Sequence, residues 1–345
     1  MKRLLFLALL AGCPKHGDNP KQTEHKHDAG VRLLDTDGGT ALALPPAPPA
    51  PAVPAGLPDA PSVPRPEDIA LGELLFHDAR LSTTGKLACA TCHAPAHDLA
   101  GGRDATAGGA PNLRRTPSLG NLAWATSLGW DGRYATLADQ LPAHAKGQLG
   151  EDLGSVARVA ALPLYAAHFA RVGGGDAAHA TAALAAYVAT RYSGDAPWDR
   201  HERDSDRSTP EQVAAQRGYA LFTGKAQCAT CHAPPLYTDL AFHRLGLIRV
   251  ADDGRGRLDP TKAGAFKTPT LRGAAARTSF FHDGSAGSLA AAIQWHLDGC
   301  IGQGADPGIV DLKPIALTQG ERKDLEAFVQ ALTPTAPPPP SPALP

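Results

Sequence analysis

Two short motifs constrain this chain more than anything else in it: Cys89-Ala90-Thr91-Cys92-His93 and Cys228-Ala229-Thr230-Cys231-His232. In C-x-x-C-H, the close spacing lets two thiols form thioethers to one porphyrin while the adjacent imidazole reaches its iron. A C-x-x-C pair without the histidine also suits zinc or a redox dithiol, and one zinc held by all four cysteines is the competing reading. The histidine in both copies decides for two covalently bound haem c groups, on Cys89 and Cys92 and on Cys228 and Cys231. His93 and His232 are then the proximal ligands. The fold this predicts is mainly α, with two cytochrome c-like haem domains.

Only Cys13 and Cys300 of the six cysteines lie outside these motifs. Cys300 is read as a buried free thiol rather than a reactive one. The single methionine is Met1, so a processed chain has no thioether to offer an iron. The net charge of −1 comes without a basic block, which excludes nucleic acid as a partner, because phosphate binding needs clustered Lys and Arg.

Lys2 and Arg3 followed by the apolar run Leu4–Leu10 read as a signal peptide over residues 1–12. Leu10-Ala11-Gly12-Cys13 has the form of a bacterial lipobox, which predicts lipidation of Cys13 and a protein anchored by lipid in the cell envelope (periplasm). Residues 13–66 are polar and then rich in Pro and Ala, and are expected to form a disordered, partly polyproline tether. His16, His25 and His27 belong to that solvated stretch. Residues 334–345 are a Pro-rich tail.

Between these ends the chain repeats itself. Leu71-Gly72-Glu73-Leu74-Leu75-Phe76 and Arg217-Gly218-Tyr219-Ala220-Leu221-Phe222 each precede a haem motif, as short helices. Arg115-Thr116-Pro117 answers to Lys267-Thr268-Pro269, and Trp130-Asp131-Gly132-Arg133 to His282-Asp283-Gly284-Ser285. Leu137 and Leu289 open matching helices. The equal spacings argue for internal duplication of a one-haem unit, with domains over residues 67–206 and 207–333.

These segments together resemble the bacterial dihaem cytochrome c peroxidase family, including its relative MauG. The resemblance runs from about Pro66 to Thr333 and rests further on Asp78…Arg80-Leu81-Ser82, Phe266-Lys267-Thr268-Pro269-Thr270-Leu271-Arg272 and Phe281-His282-Asp283-Gly284. It implies reduction of hydrogen peroxide to water at the N-terminal haem. Electrons enter through the C-terminal haem from a small soluble cytochrome c or cupredoxin, and members are often homodimers. It makes Trp130 the bridge between the haems and Gln140 a distal-pocket residue. The family's distal glutamate falls at Gly150; allowing one inserted residue, Glu151 takes that role as general acid–base, with Asp152 and a plain helix-capping acid as the other readings.

The chain also departs from the pattern. His296 stands where the family places the Met or Tyr ligand of haem 2, and is assigned as that ligand. Between His93 and Thr116 the only histidine is His97, too near the proximal ligand to cross the ring, so iron 1 is expected to have an open face. His144, the first-half counterpart of His296, is the rival to that expectation. The family's calcium positions read Arg115, Arg277 and Ser279 here, which predicts no bound calcium. Two further functions compete with peroxidase. One is MauG-like oxidation of a partner protein, weakened because that chemistry uses Tyr where His296 sits. The other is a bis-histidine electron-transfer protein without catalysis, favoured if His144 and His296 both ligate.

Overall fold

The computed structural model describes residues 43–104, 106–204, 209–247, 252–299 and 311–344. The signal peptide, Cys13, the linker histidines and Cys300 fall outside them. The described residues belong to one compact unit and are mostly helical. In chain order the helices are α1 (Pro66–His77), α2 (Cys89–Cys92), α3 (Leu137–Leu149), α4 (Val156–Ala160), α5 (Pro163–Val172), α6 (Ala177–Ala189), α7 (Pro197–Asp204), α8 (Pro210–Thr223), α9 (Leu289–Leu297) and α10 (Gln319–Ala331). A two-residue pair, β1 (Phe242–His243) and β2 (Phe266–Lys267), is antiparallel with Phe242 opposite Lys267.

Local chemistry sets the helix ends. Pro66, Pro163 and Pro210 each sit in the first turn of a helix, where φ is already suitable and the missing N–H has no intrahelical partner anyway. Thr209 with Gln212 and Thr318 with Glu321 form reciprocal capping boxes on α8 and α10. Gly150, at φ +83°, stops α3.

Two hydrophobic cores result. In the first, α1 lies across α6 with Leu71, Leu75, Phe76 and Leu184 buried. In the second, α8 lies across α10 around Phe222 and Phe328, and Trp198 of α7 meets Phe328 edge-on at 5.0 Å. Both crossings depend on a glycine. A Cβ on Gly72 would lie 2.0 Å from the Ala183 carbonyl oxygen, and one on Gly218 would lie 2.0 Å from that of Asp324. These are the glycines of the paired motifs ahead of each C-x-x-C-H.

The expected disordered tether is corrected over its last part. Residues 43–65 run extended against the body, and their carbonyls accept hydrogen bonds from it. Arg171 Nη1 donates to Pro45 at 2.7 Å, the Asp195 amide to Ala55 at 2.8 Å and Trp124 Nε1 to Asp59 at 3.1 Å. Arg272 donates to Gly56 and pairs at 2.8 Å with Asp199, both side chains being 1% exposed. Polyproline backbone has no internal hydrogen bonds, so its free carbonyls suit capture by side-chain donors. Composition revealed the extended conformation but not the docking.

Candidate haem sites and the junction between them

The two C-x-x-C pairs lie in different cores, Cys89 against the first and Cys228 against the second. Among the described residues no cluster brings all four cysteines together, so the shared zinc site is not formed. Burial pushes the Cys89 and Cys228 thiols up to about 12 and Cys92 to about 11.

Each proximal histidine is oriented by the same device. His93 follows α2, its amide bonded to the Cys89 carbonyl at 2.8 Å, and its Nδ1 lies 3.0 Å from the Leu99 carbonyl. The His232 amide donates to Cys228 at 2.9 Å, and its Nδ1 lies 3.1 Å from the Tyr237 carbonyl. An Nδ1–H held by a carbonyl leaves Nε2 as the free ligand atom. Leu99 and Tyr237 have φ of +53° and +54°, strained for bulky residues and retained where the surroundings impose it. Burial pushes both imidazoles down to about 4, so they stay neutral.

Opposite each proximal ring stands a second histidine. The His232 and His296 ring centroids are 6.3 Å apart, and those of His93 and His144 are 6.0 Å apart. Two imidazoles bonded to opposite faces of one metal at about 2.0 Å put their centroids roughly 6 Å apart. His296 Nδ1 lies 2.8 Å from the Ala292 carbonyl one turn back on α9. Among the described residues the His144 ring has no such bond.

A cleft partly open to solvent joins the first site to the second half. Its walls include Cys89, His93, Gln140 and His144, with Trp130 and Lys267 on the far side. A porphyrin tethered at Cys89 and ligated by His93 fits this space, and the apolar walls suit its rings. Gln140 and His144 share a face of α3, four residues apart.

Trp130 is 7% exposed. Its Nε1 donates to the Arg115 carbonyl at 2.9 Å, while its own carbonyl accepts from the Lys267 amide at 2.8 Å. The Arg115 guanidinium lies 5.1 Å from the ring centroid. The tryptophan therefore sits where the two halves touch.

Glu151 is not among the residues lining the cleft. Its carboxylate pairs with Arg158 at 3.0 Å, because Gly150 ends α3 and the chain turns away from the cleft. Asp152 caps the next turn through the Gly154 amide at 3.0 Å. This arrangement does not bring Glu151, read as the distal acid–base group, or its alternative Asp152 to the cleft. His97 Nδ1 lies 3.2 Å from the Ala276 carbonyl of the second half.

Arg115 and Arg277 are both buried, and Arg277 binds Asp98 at 2.7 Å. Sequence reasoning missed this ionic joint between the halves and two others. Arg114 joins Asp131 at 2.8 Å and Asp252 at 2.5 Å, and Arg272 joins Asp199. The residue types were visible, but nothing in their spacing paired them.

Two covalent haem attachment sites with buried proximal imidazoles, in two helical halves joined at a tryptophan, define a dihaem c-type oxidoreductase. The chain belongs to the dihaem cytochrome c peroxidase and MauG family. Residues 66–207 match the family described as Di-haem cytochrome c peroxidase. Methylamine utilization protein MauG of Methylorubrum extorquens is 40% identical over 280 residues, covering 77% of this chain and 78% of that protein. A cytochrome-c peroxidase of Denitromonas iodatirespirans is 34% identical over 80% of this chain and 86% of its own length. The crystal structure of a MauG-like protein associated with microbial copper homeostasis superposes with a TM-score of 0.72 at 28% identity, over 85% of this chain and 95% of that one.

Proposed function

We propose that the protein reduces hydrogen peroxide to water at the first haem, with two electrons that arrive through the second and two protons from solvent. The observation that carries this reading is Trp130, which lines the His93 cleft and is bonded through its main chain to Lys267 of the other half. The iron supplies the redox change. Gln140 offers an amide to orient a ligand in the cleft, Trp130 conducts between the halves, and His232 with His296 holds the second iron as a relay. The absence of a methionine ligand lowers the relay potential, since Met/His ligation raises it.

The spacing of His93 and His144 favours a second reading, a bis-histidine electron carrier. With the rings 6.0 Å apart, peroxide would reach an iron held by His93 only if His144 swung aside, and in the closed arrangement this imidazole would serve as a ligand rather than as a distal acid. Likeness to MauG keeps oxidation of a partner protein as the other enzymatic alternative. Turnover of peroxide by the holoprotein with a reduced small cytochrome or cupredoxin decides among them. No turnover, with haems that ignore peroxide, sinks the peroxidase reading. Turnover of a partner protein without consumption of donor cytochrome points to the oxidase.

The same proposal includes a duplicated one-haem ancestor over residues 67–206 and 207–333, supported by the matched glycine crossings and histidine pairs. It includes a lipid anchor at Cys13 in the cell envelope, supported by the lipobox pattern. It also includes a homodimer, by likeness to the family, and no calcium at Arg115 and Arg277. Mass spectrometry of membrane-extracted protein and calcium analysis of the holoprotein test the anchor and the metal.

A further inference from the structure

The cleft beside His93 has an unbalanced charge. Three cations line it, Arg115, Lys267 and Arg277, and no carboxylate does; the adjoining cavity, which shares His93 and Arg115, holds Asp131 and Asp252, and both of these are paired with Arg114. Arg277 is neutralised by Asp98. The other two have no acidic partner among the described residues. Arg115, 2% exposed, donates Nε to the Phe281 carbonyl at 2.7 Å and Nη1 to that of Thr116 at 3.2 Å. Lys267 Nζ reaches only the Ser127 carbonyl.

Buried cations without counter-charge are strongly unfavourable, and pairing or an anion relieves them. Burial is the main cause that pushes Arg115 down to about 9, with Arg277 adding to it and Asp98 opposing it, and Lys267 down to about 8, with Asp131 opposing it. Both groups therefore call for negative charge from whatever fills the cleft. They come from opposite halves, each from the residue before a Thr-Pro pair.

We infer that Arg115 and Lys267 together form a dicarboxylate site that holds the two propionates of the first haem. Two cations meet two carboxylates, so the charges balance. By resemblance Arg115 stands where the family's calcium ligands fall, and its guanidinium lies 5.1 Å from the Trp130 ring centroid. The second half thereby helps build the first haem site through Lys267. This inference rests on the assignment of the first haem to Cys89, Cys92 and His93.

The test is a spectroelectrochemical titration of the holoprotein and of Arg115→Gln, Arg115→Lys and Lys267→Gln. Loss of a positive charge beside a propionate stabilises the ferric state. The same one of the two haem potentials is expected to move negative in Arg115→Gln and Lys267→Gln, with Arg115→Lys staying near wild type. If Arg115→Gln does not fold, Lys267→Gln carries the test, since Lys267 is only partly buried. Unchanged potentials in a protein carrying both haems overturn the propionate site while leaving the haem assignment intact. A wild-type potential that depends on phosphate concentration overturns it too, in favour of a free anion. Failure to attach haem at Cys89 and Cys92 instead removes the reading beneath it, and a haem count on the purified chain reports that separately.

Discussion

His144 faces His93 across the first site at a ring separation of 6.0 Å, almost the 6.3 Å that separates His296 from His232. The two halves thus offer the same pair of imidazoles to a metal. They differ in how the second ring is held, since His296 is bonded to the Ala292 carbonyl and His144 has no such bond among the described residues. The His144 ring is therefore held less firmly at its site than the His296 ring.

Spectra test this relationship. Replacing His144 with Ala is expected to convert one of two low-spin ferric haems to high spin, seen by electron paramagnetic resonance and in the visible bands. Replacing His296 with Ala is expected to convert the other. A wild-type protein already half high-spin, and unaltered by His144→Ala, would return the first iron to an open face.

The docked segment 43–65 makes a stability prediction. Gly56 has φ +81°, and a Cβ there would lie 2.0 Å from Asp199 Oδ1. Gly56→Ala must therefore disturb the buried Arg272–Asp199 pair, and breaking such a pair costs about 3–5 kcal/mol. Chemical denaturation of the holoprotein is expected to show a loss of that order, and a midpoint like wild type would show that the segment is not anchored there.

Acid should loosen the junction in a defined window. Burial raises the Asp252 carboxyl, but hydrogen bonds from Arg114 outweigh it and hold the group down at about 2. A depressed folded-state value means stability that is present above the ordinary carboxylate range and lost as pH falls through about 2. Wild type should exceed Asp252→Asn in stability near neutral pH, and the gap should close as the pH drops below the unfolded carboxyl's value of about 4 toward the folded one. Urea midpoints measured across that range check it; a gap independent of pH would assign the effect to packing.

Trp130→Phe keeps an aromatic ring at the junction but removes the indole donor. The buried Arg115 carbonyl then loses its partner, a penalty of about 1–3 kcal/mol. A thermal shift consistent with that loss is expected, together with slower electron exchange between the haems in flash-reduction experiments. Exchange at the wild-type rate would remove Trp130 from the electron path.

What was legible in the residues was what local spacing decides. C-x-x-C-H names its own cofactor, and the paired Gly-bearing helices and Thr-Pro pairs marked elements that the fold contains. His296 was singled out because it stands where the family it resembles places the second-haem ligand, and the internal repeat then pointed at His144. Only the tertiary structure decided which groups meet across the junction. It set His144 against His93, turned Glu151 to Arg158, docked a proline-rich segment that composition reads as free, and left Arg115 and Lys267 facing one cleft without a carboxylate. Those outcomes depend on how two separately specified halves pack, and contacts between residues more than a hundred positions apart, such as Arg115 and Phe281, leave no periodic trace along the chain.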